Sequence, residues 1–246
     1  MRLLLIGATG SPYYEHCRKE ITDFLASSKQ VGVITAANLF DEYTYFRAIH
    51  ERLSGWSPRI FKELTHIRWN SSWRDALNLV DALIIPGGNT YVLLKRLCES
   101  GLLNALRDRV RNGLPYIGSS AGANLAGPNI LTTNDWNVVG LTHFEALGLV
   151  PFNINPHYVE RTEADGPHSE TRDSRIREYH QFWNNPVIGL EETAVLRVID
   201  AALSMVGKGA AKVFAPDEQQ HWLRSGKGLV LSNVTMMPFQ TSPAAG

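Results

Sequence analysis

Apolar and polar residues alternate along the first half of the chain in two distinct patterns. Short, continuous apolar runs at residues 3–6, 31–35 and 81–85 have the length of buried strands. Between these runs, residues 14–26 and 41–53 carry apolar side chains at helical spacing, which predicts amphipathic helices. Strands that alternate with helices in this way pair as a parallel sheet. We therefore predict an α/β fold with a mostly parallel sheet and helices on both faces.

Two glycine-containing turns organise the next part of the chain. Residues 86–88 (Pro-Gly-Gly) end the third apolar run, and a helix is predicted to begin at Asn89 or Thr90, where either side chain can cap it. Gly101 interrupts this helix, which then continues as a second apolar stripe. The apolar run at residues 114–117 follows and leads directly into the second glycine turn.

The second half of the chain is less regular. Residues 129–158 are interpreted as polar loops with short apolar pieces, and residues 170–183 as a charged helix. Further strands are predicted at residues 59–61, 187–190, 194–199, 211–214 and 228–231. Because no repeat, linker or low-complexity segment divides the chain, we expect a single domain over residues 1–246, with residues 240–246 as a loose tail.

Composition and charge exclude several classes of partner. The chain has 246 residues, of which 24 are basic and 24 acidic, so its formal net charge is zero. A nucleic-acid-binding surface needs an excess of basic side chains, and no apolar run approaches the length of a membrane span. We therefore expect neither a nucleic acid nor a membrane as a partner.

The two cysteines, Cys17 and Cys98, lie far apart and match no metal-ligand spacing. We expect them to be free thiols, which are typical of proteins in the reducing cytoplasm. Neither a metal site nor a cofactor is predicted. The apolar run at residues 3–6 is too short for the core of a signal peptide and is interpreted as a first strand, so a cytoplasmic location is expected.

Residues 118–122 (Gly-Ser-Ser-Ala-Gly) contain the pattern Gly-x-Ser-x-Gly, centred on Ser120. An apolar run precedes the pattern and small, helix-compatible residues follow it, as in a strand–turn–helix elbow that exposes a nucleophilic serine. Glycines on both sides permit the tight bend. Ser120 is therefore a candidate nucleophile, and the backbone N–H of Ala121 is a candidate donor to an oxyanion.

A nucleophilic serine needs a base, and the base needs an acid that fixes its tautomer. Of the eight histidines, His157 follows Pro156 at the end of a short apolar-polar run and is the candidate base. Asp135 is one candidate acid, and the pair Glu191 and Glu192 is another; the residue pattern does not separate them. Each candidate also has an ordinary structural interpretation: a histidine bonded to a carbonyl, an Asx turn, or solvated charge at a strand end.

The Gly87-Gly88 turn is a candidate for the other half of an oxyanion hole. Its backbone N–H groups can face the serine elbow and act together with that of Ala121. The alternatives are a tight strand–helix connection and a phosphate-binding turn. The sequence lacks the later glycine and lysine of dinucleotide and Walker patterns, which disfavours phosphate.

Several segments occur in the same order as in one known family. They are residues 86–90 (Pro-Gly-Gly-Asn-Thr), 118–124 (Gly-Ser-Ser-Ala-Gly-Ala-Asn), 132–135 (Thr-Thr-Asn-Asp), 154–157 (Ile-Asn-Pro-His), 170–176 (Glu-Thr-Arg-Asp-Ser-Arg-Ile) and 187–190 (Val-Ile-Gly-Leu). From the first strand to about Phe214, the chain resembles the peptidase E family, the α-aspartyl dipeptidases, which are cytoplasmic serine exopeptidases.

The resemblance implies a flavodoxin-like fold related to class I glutamine amidotransferase domains. It implies Ser120 as the nucleophile, His157 as the base and Asp135 as the third member of the triad. Glu192 stays open as the alternative acid, because it falls where the wider family, including cyanophycinase-like enzymes, carries one.

The resemblance also implies a substrate. Backbone N–H groups of Gly88 and Ala121 would hold the oxyanion, and Arg172 would bind the side-chain carboxylate of an N-terminal aspartate. The expected substrate is a small peptide, an Asp-X dipeptide, and residues 161–168 have the composition of a mobile lid above it. The family includes both monomers and dimers, so a homodimer is compatible with the sequence.

Three departures and three alternatives accompany this interpretation. The segment after Phe214 is longer than in the family and less recognisable. Ser119 stands where the family usually has a tryptophan, and residues 7–10 (Gly-Ala-Thr-Gly) differ from the usual start, so the pocket rim and the strictness of the aspartate preference are open. The alternatives are an exopeptidase or cyanophycinase-like hydrolase of different preference, a catalytically silent peptide-binding module, and an α/β-hydrolase esterase. The esterase is disfavoured because only 37 residues separate Ser120 from His157.

Overall fold

The computed structural model describes residues 1–57, 59–161, 170–200, 202–226 and 228–230. The strands in these ranges are β1 (Arg2–Ile6), β2 (Val31–Val33), β3 (Leu64–His66), β4 (Ala82–Ile85), β5 (Tyr116–Ser119), β6 (Asn153–Pro156), β7 (Val187–Leu190), β8 (Ala194–Ile199), β9 (Ala202–Gly207), β10 (Ala211–Phe214), β11 (Gln220–Leu223) and β12 (Gly228–Val230). The helices are α1 (Arg18–Phe24), α2 (Glu42–Ser54), α3 (Trp73–Leu79), α4 (Thr90–Glu99), α5 (Leu102–Arg111), α6 (Ala121–Asn124) and α7 (Arg172–His180).

The larger sheet has eight strands in the order β12-β9-β8-β1-β5-β4-β2-β3. The five strands from β1 to β3 in this order are parallel to one another. On the other side of β1 follow β8, β9 and β12, each antiparallel to the strand before it. Successive residues of β1 face opposite sides: Leu3 and Leu5 belong to one hydrophobic core, and Leu4 and Ile6 to another. This arrangement confirms the predicted α/β fold with a mostly parallel sheet buried on both faces.

The parallel strands of the larger sheet bring three loops to one edge. Ile6 pairs with Ser119, and Ile85 pairs with Gly118, so β1, β4 and β5 end side by side. Because parallel strands share the direction of their carboxyl ends, the residues that follow these strands meet at that edge. This is where the two glycine turns of the sequence come together.

The smaller sheet has four strands in the order β11-β10-β7-β6. Strands β6 and β7 are parallel, with Pro156 opposite Leu190, whereas β10 is antiparallel to both of its neighbours. The backbone N–H of Tyr158 donates to the carbonyl of Leu190 at 2.8 Å, which continues the pairing past the strand ends. The residues after β6 and after β7 are therefore neighbours, although they are far apart in sequence.

Some predicted elements have different bounds or are wrong. Residues 59 and 60 lie in a turn and not in a strand; Ile60 and Phe61 are buried there, and the strand begins at Leu64. The helix predicted at 14–26 is a short 3-10 helix (Glu15–Cys17) followed by α1. The sequence did not predict α3, β9 or β11.

Other predictions hold in detail or fall outside the described residues. Asn89 caps α4 by accepting from the backbone N–H of Val92 at 3.0 Å, as predicted. Residue 231 and the tail at 240–246 lie outside the described ranges, as does the expected lid apart from Arg161. Within the residues that the structure covers, no helix has both the length and the apolar character needed to cross a membrane.

Candidate active site

Ser120 occupies a strained elbow between β5 and α6. Its backbone has φ 51° and ψ −111°, a conformation that non-glycine residues adopt only when the surrounding structure enforces it. The flanking glycines allow this packing: a Cβ on Gly118 would lie 2.3 Å from the Gly122 carbonyl oxygen, and one on Gly122 would lie 2.0 Å from that of Ile85. The elbow is therefore held by backbone-to-backbone packing that a side chain would prevent.

His157 follows β6 and reaches the serine. Its Nε2 lies 2.7 Å from the Ser120 Oγ. His157 also has a positive φ, 54°, so both members of this pair sit at strained turns. Ser120 is 9% exposed and the His157 side chain 38%, which leaves the base open to solvent on one side. This distance suits transfer of the serine proton to the imidazole.

Glu192 is the acidic group that contacts His157. Its Oε1 lies 3.3 Å from His157 Nδ1. The pairing of Pro156 with Leu190 in the smaller sheet explains the contact, because it places the residues after β6 beside those after β7. With Nδ1–H donating to the carboxylate, Nε2 is free to accept from Ser120. The Glu192 side chain is 70% exposed, so water screens its charge.

Asp135, the other candidate acid, lies at the start of α4. Its Oδ2 accepts three hydrogen bonds: from the Thr90 backbone N–H at 2.7 Å, the Thr90 hydroxyl at 2.6 Å and the Thr133 hydroxyl at 3.0 Å. Thr90 is the first residue of α4, and a carboxylate is stabilised at a helix N-terminus. Among the described residues no hydrogen bond joins Asp135 to His157. The structure thus brings Glu192 to His157, the expected base, whereas Asp135 anchors the helix that follows the Gly87-Gly88 turn.

The two expected oxyanion donors flank the serine. A Cβ on Gly87 would lie 3.0 Å from the Ser120 Cβ and 3.3 Å from its Oγ, so this turn packs directly on Ser120. Gly88 has φ 143°, and a Cβ there would lie 2.3 Å from the Ala37 carbonyl oxygen. In the described part of the chain, no acceptor takes the backbone N–H of Gly88 or of Ala121.

Ser119 does not lie on the pocket rim, where the family resemblance placed it. It is completely buried, and its Oγ lies 2.9 Å from the Thr9 hydroxyl and 3.0 Å from the Tyr14 hydroxyl. The reason is the alternation of side chains along β5, because Ile117, two residues earlier, packs in the same core as Tyr14. Ser119 therefore does not line the rim, and its effect on the aspartate preference stays a prediction.

Arg172 is the first residue of α7 and is half-buried. The helix starts with a capping box in which Thr171 and Ser174 exchange hydrogen bonds. Burial, together with the positive charges of Arg175 and Arg161, lowers the pKa of Arg172. Glu170, which accepts a hydrogen bond from Arg175 at 2.6 Å, offsets part of this positive charge, and a half-buried arginine favours binding of an anion.

Lys212 belongs to a charged cluster that the sequence did not reveal. Its Nζ donates to Glu160 at 2.7 Å and to Asp173 at 3.1 Å, and the Tyr158 hydroxyl also donates to Asp173, at 2.7 Å. The Lys212 side chain is 9% exposed. Three aromatic rings surround its ammonium group: Tyr158, Phe214 and Trp222. The only signal in the sequence was a lysine between apolar residues of a strand.

Comparison with known proteins supplies a family for this geometry. A model described as Peptidase family S51 matches residues 3–206. A Drosophila melanogaster protein named "Probable alpha-aspartyl dipeptidase" is 38% identical to the chain, over 87% of this chain and 90% of its own length. "Peptidase E" of Streptomyces coelicolor is 36% identical, over 87% of each chain.

A solved structure is similar in fold. The crystal structure of a peptidase from an acI-B1 actinobacterium has a TM-score of 0.67, with 93% of this chain and 96% of that chain covered. At 16% identity, this likeness concerns the fold alone. The sequence matches carry the assignment, and they agree with the resemblance found in the motifs. The chain belongs to peptidase family S51 and is a serine peptidase.

Proposed function

We propose that this protein is a serine dipeptidase that hydrolyses dipeptides with an N-terminal aspartate. The contact of 2.7 Å between Ser120 Oγ and His157 Nε2 carries the proposal, together with two nearby backbone N–H groups that no acceptor among the described residues engages. The name of one relative, "Probable alpha-aspartyl dipeptidase", supports the dipeptide substrate, and the name of another, "Peptidase E", supports peptide hydrolysis. The free cysteines Cys17 and Cys98 favour a cytoplasmic location.

The first half of the reaction forms an acyl-enzyme. Ser120 Oγ attacks the carbonyl carbon of the aspartyl residue while its proton passes to His157 Nε2. The negative charge that develops on the carbonyl oxygen is held by the N–H groups of Gly88 and Ala121. His157 then donates the proton to the leaving amine, the C–N bond breaks, and the amino acid X departs.

The second half returns the enzyme to its starting state. Water gives a proton to His157 Nε2 as its oxygen attacks the ester carbonyl, and the same two N–H groups hold the second oxyanion. The proton returns to Ser120 Oγ when the ester bond breaks, and aspartate leaves. Throughout the cycle, Glu192 accepts the Nδ1 proton of His157 in a hydrogen bond and stabilises the imidazolium. We propose this role for Glu192 in place of Asp135.

Selectivity for aspartate needs a cation in the pocket. We assign this role to Arg172, because its guanidinium is half-buried and stays charged while two further arginines lie close by. A guanidinium binds a carboxylate through two parallel hydrogen bonds, which a neutral side chain cannot replace. A glutamate carboxylate extends one methylene further, so a fixed arginine also discriminates by length.

A panel of three dipeptides tests the substrate. We expect rapid release of leucine from Asp-Leu and slow release from Glu-Leu and Ala-Leu, measured by chromatography of the free amino acid. Arg172→Gln is expected to raise KM for Asp-Leu and to reduce the preference over Ala-Leu. The matched control is Arg177→Gln, since Arg177 is an exposed arginine of the same helix. Equal rates for all three dipeptides would reject the aspartyl preference.

A serine-directed probe tests the chemistry independently of the substrate. A fluorophosphonate should label the wild-type protein and fail to label Ser120→Ala. Absence of labelling in the folded wild type would reject a serine nucleophile and favour a peptide-binding role. Labelling without cleavage of any dipeptide would retain the nucleophile and reject the dipeptidase.

A further inference from the structure

Three buried hydroxyl groups form a chain beneath the nucleophile. Thr9 Oγ1 lies 2.9 Å from Ser119 Oγ, which lies 3.0 Å from the Tyr14 hydroxyl. Ser119 and Tyr14 have no exposed surface, and Thr9 is almost fully buried. Thr9 and Tyr14 belong to the loop between β1 and the 3-10 helix, and Ser119 is the last residue of β5.

The chain of hydroxyls ends on the backbone of the Gly87-Gly88 turn. The N–H of Gly87 donates to Thr9 Oγ1 at 2.9 Å. This direction is fixed, because the amide can only donate, whichever way the other hydroxyl protons point. A Cβ on Gly87 would also lie 3.0 Å from Thr9 Oγ1, so the turn and the hydroxyl are in close contact. One end of the chain therefore holds the residue that precedes Gly88.

The other contacts of the chain lie at the elbow. Ser119 immediately precedes Ser120, and its backbone is paired with Ile6 in the larger sheet. Thr9 thus bonds on one side to the turn that offers the Gly88 N–H and on the other side to the strand end that carries the nucleophile. The remaining hydroxyl, Tyr14, belongs to a residue with φ 60° whose backbone N–H donates to the Thr9 carbonyl at 2.7 Å.

Burying three hydroxyl groups costs folding free energy, and the position of these hydroxyls beside the site gives a reason for them. A buried hydroxyl destabilises the fold unless it is hydrogen-bonded, and apolar side chains of similar shape would fill the same space. Burial raises the pKa of Tyr14 well above its ordinary value, so its hydroxyl keeps its proton and stays available for hydrogen bonding. Neutral, mutually bonded hydroxyls fix relative positions without placing a charge beside the reacting atoms.

We propose that Thr9, Ser119 and Tyr14 are positioning residues that set the distance between the Gly88 N–H and the carbonyl attacked by Ser120. They act on the oxyanion and not on the ground-state substrate, since the N–H groups must match the oxygen where its charge develops. This inference rests on the proposed function of the site, and it assigns to Ser119 a role beneath the nucleophile.

The test compares two substitutions of Thr9. Thr9→Val keeps the shape and removes the acceptor of the Gly87 proton; we expect kcat to fall about ten- to a hundredfold with KM nearly unchanged. Thr9→Ser keeps the hydroxyl and loses only a methyl group, and is expected to retain most of kcat. Thr22→Val is the control for hydroxyl loss, because Thr22 bonds to its own helix at Arg18, away from the site.

The three residues should also differ in rank. The loss of kcat should decrease in the order Thr9→Val, Ser119→Ala, Tyr14→Phe, which follows their distance along the chain from Gly87. Thermal unfolding of each variant is measured in parallel, and rates are taken well below each melting temperature. If the role is purely structural, the loss of kcat should instead follow the loss of stability. Ser119 and Tyr14 are completely buried, so their variants should then lose as much rate as Thr9→Val.

The outcomes separate this inference from the proposed function. Reaction of Ser120 with a fluorophosphonate also builds negative charge on oxygen. The rate at which the probe labels the Thr9→Val variant should therefore fall by about the same factor as kcat. If the wild type is active and Thr9→Val has the same kcat, the positioning role is overturned and the proposed dipeptidase activity stands. A change of Thr9→Val confined to KM would lead to the same conclusion. An inactive wild type that the probe does not label would overturn the proposed function itself. If Thr9→Val does not fold, Ser119→Ala gives the same decision.

Discussion

The two halves of the candidate site are built in different ways. The half that carries the nucleophile stands on the larger sheet, where Ser119 and Thr9 are buried and bonded to neutral hydroxyl and amide groups. The half that carries the base stands on the smaller sheet, where His157 and Glu192 face solvent and the neighbouring groups are charged. Hydrogen bonds between neutral buried groups stabilise the half that carries Ser120, and ion pairs stabilise the half that carries His157.

The difference follows from what each half must do. The nucleophile half has to keep a fixed geometry, and buried neutral hydrogen bonds achieve this without a large desolvation cost. The base half has to accept a proton in every cycle, and a fully buried imidazole would resist becoming positive. His157 is 38% exposed and lies beside a carboxylate, unlike a fully buried ring. Rigidity is therefore concentrated beneath Ser120, and adjustable charge is concentrated around His157.

The largest expected effect concerns the charged cluster of the base half. Lys212→Met removes the cation that lies between Glu160 and Asp173 and leaves both carboxylates without it. Burial alone would lower the pKa of Lys212, but its hydrogen bonds to the two carboxylates raise it, so the ammonium is firmly charged. We expect the free energy of unfolding to fall by about 3 kcal/mol, the low end for a broken buried ion pair, because Glu160 and Asp173 are partly exposed and water screens their charge. Urea denaturation measures it.

The control for this variant is an exposed lysine. Lys95 pairs with Glu99 on the surface of α4, and Lys95→Met should change the unfolding free energy by less than about 1 kcal/mol. Equal losses for the two lysines would show that charge is no more important in the base half than elsewhere on the surface. The comparison between the halves would then fail.

The second effect concerns the partner of His157. Glu192→Gln should lower kcat about ten- to a hundredfold, or about 1.4 to 2.7 kcal/mol, through loss of the negative charge that stabilises the imidazolium. The effect is smaller than for a buried triad acid, because Glu192 is exposed and its charge is screened. Steady-state rates with Asp-Leu measure it.

Asp135→Asn is the matched variant for the other acid. It weakens the three hydrogen bonds at the start of α4, so it should lower stability by about 1 kcal/mol and change kcat less than Glu192→Gln does. The opposite ranking of the two kcat values would restore Asp135 as the third member of the triad and remove Glu192 from that role.

The fold was predictable where periodicity was strong. The strands of the larger sheet from β1 to β5 are apolar runs, except β3, and the helices between them show an apolar face, except α3, which the sequence did not predict. The wrong strand at 59–61 came from Ile60 and Phe61, which are buried in a turn and so mimic a strand. The strands β9 and β11 were missed because their residues are half-exposed and partly polar, as is common away from the centre of a sheet.

The candidate site was predictable only as far as local sequence determines it. The elbow and the Gly87-Gly88 turn are local motifs, so Ser120 and its flanking donors follow from the sequence and the family resemblance. The contact between His157 and Glu192 depends on the parallel pairing of β6 with β7, which no local pattern specifies. The same holds for Ser119, whose orientation depends on the register of β5 and on a tyrosine more than a hundred residues earlier.

The smallest expected effect concerns His66, a histidine of the half built on the larger sheet. His66 stacks on Phe46 beside the larger sheet, and its Nε2–H donates to the Thr35 hydroxyl at 2.8 Å, since that hydroxyl itself donates to the Glu42 carbonyl. Burial and the charge of Arg68 lower the pKa of His66 to about 4. The unfolded chain binds this proton near pH 6.5, so stability present above that pH is lost as pH falls from about 6.5 towards 4.

His66→Gln should remove that part of the pH dependence. Because the ring is partly hydrated, we expect wild type to lose about 1 kcal/mol more than the variant between pH 7 and pH 4.5 in urea denaturation. His143→Gln, at an exposed loop position, should follow wild type over the same range. If His66→Gln and wild type lose stability in parallel, the buried half tolerates a protonated histidine as well as the exposed half does. Exposure would then not be the reason why the base lies in the half that faces solvent.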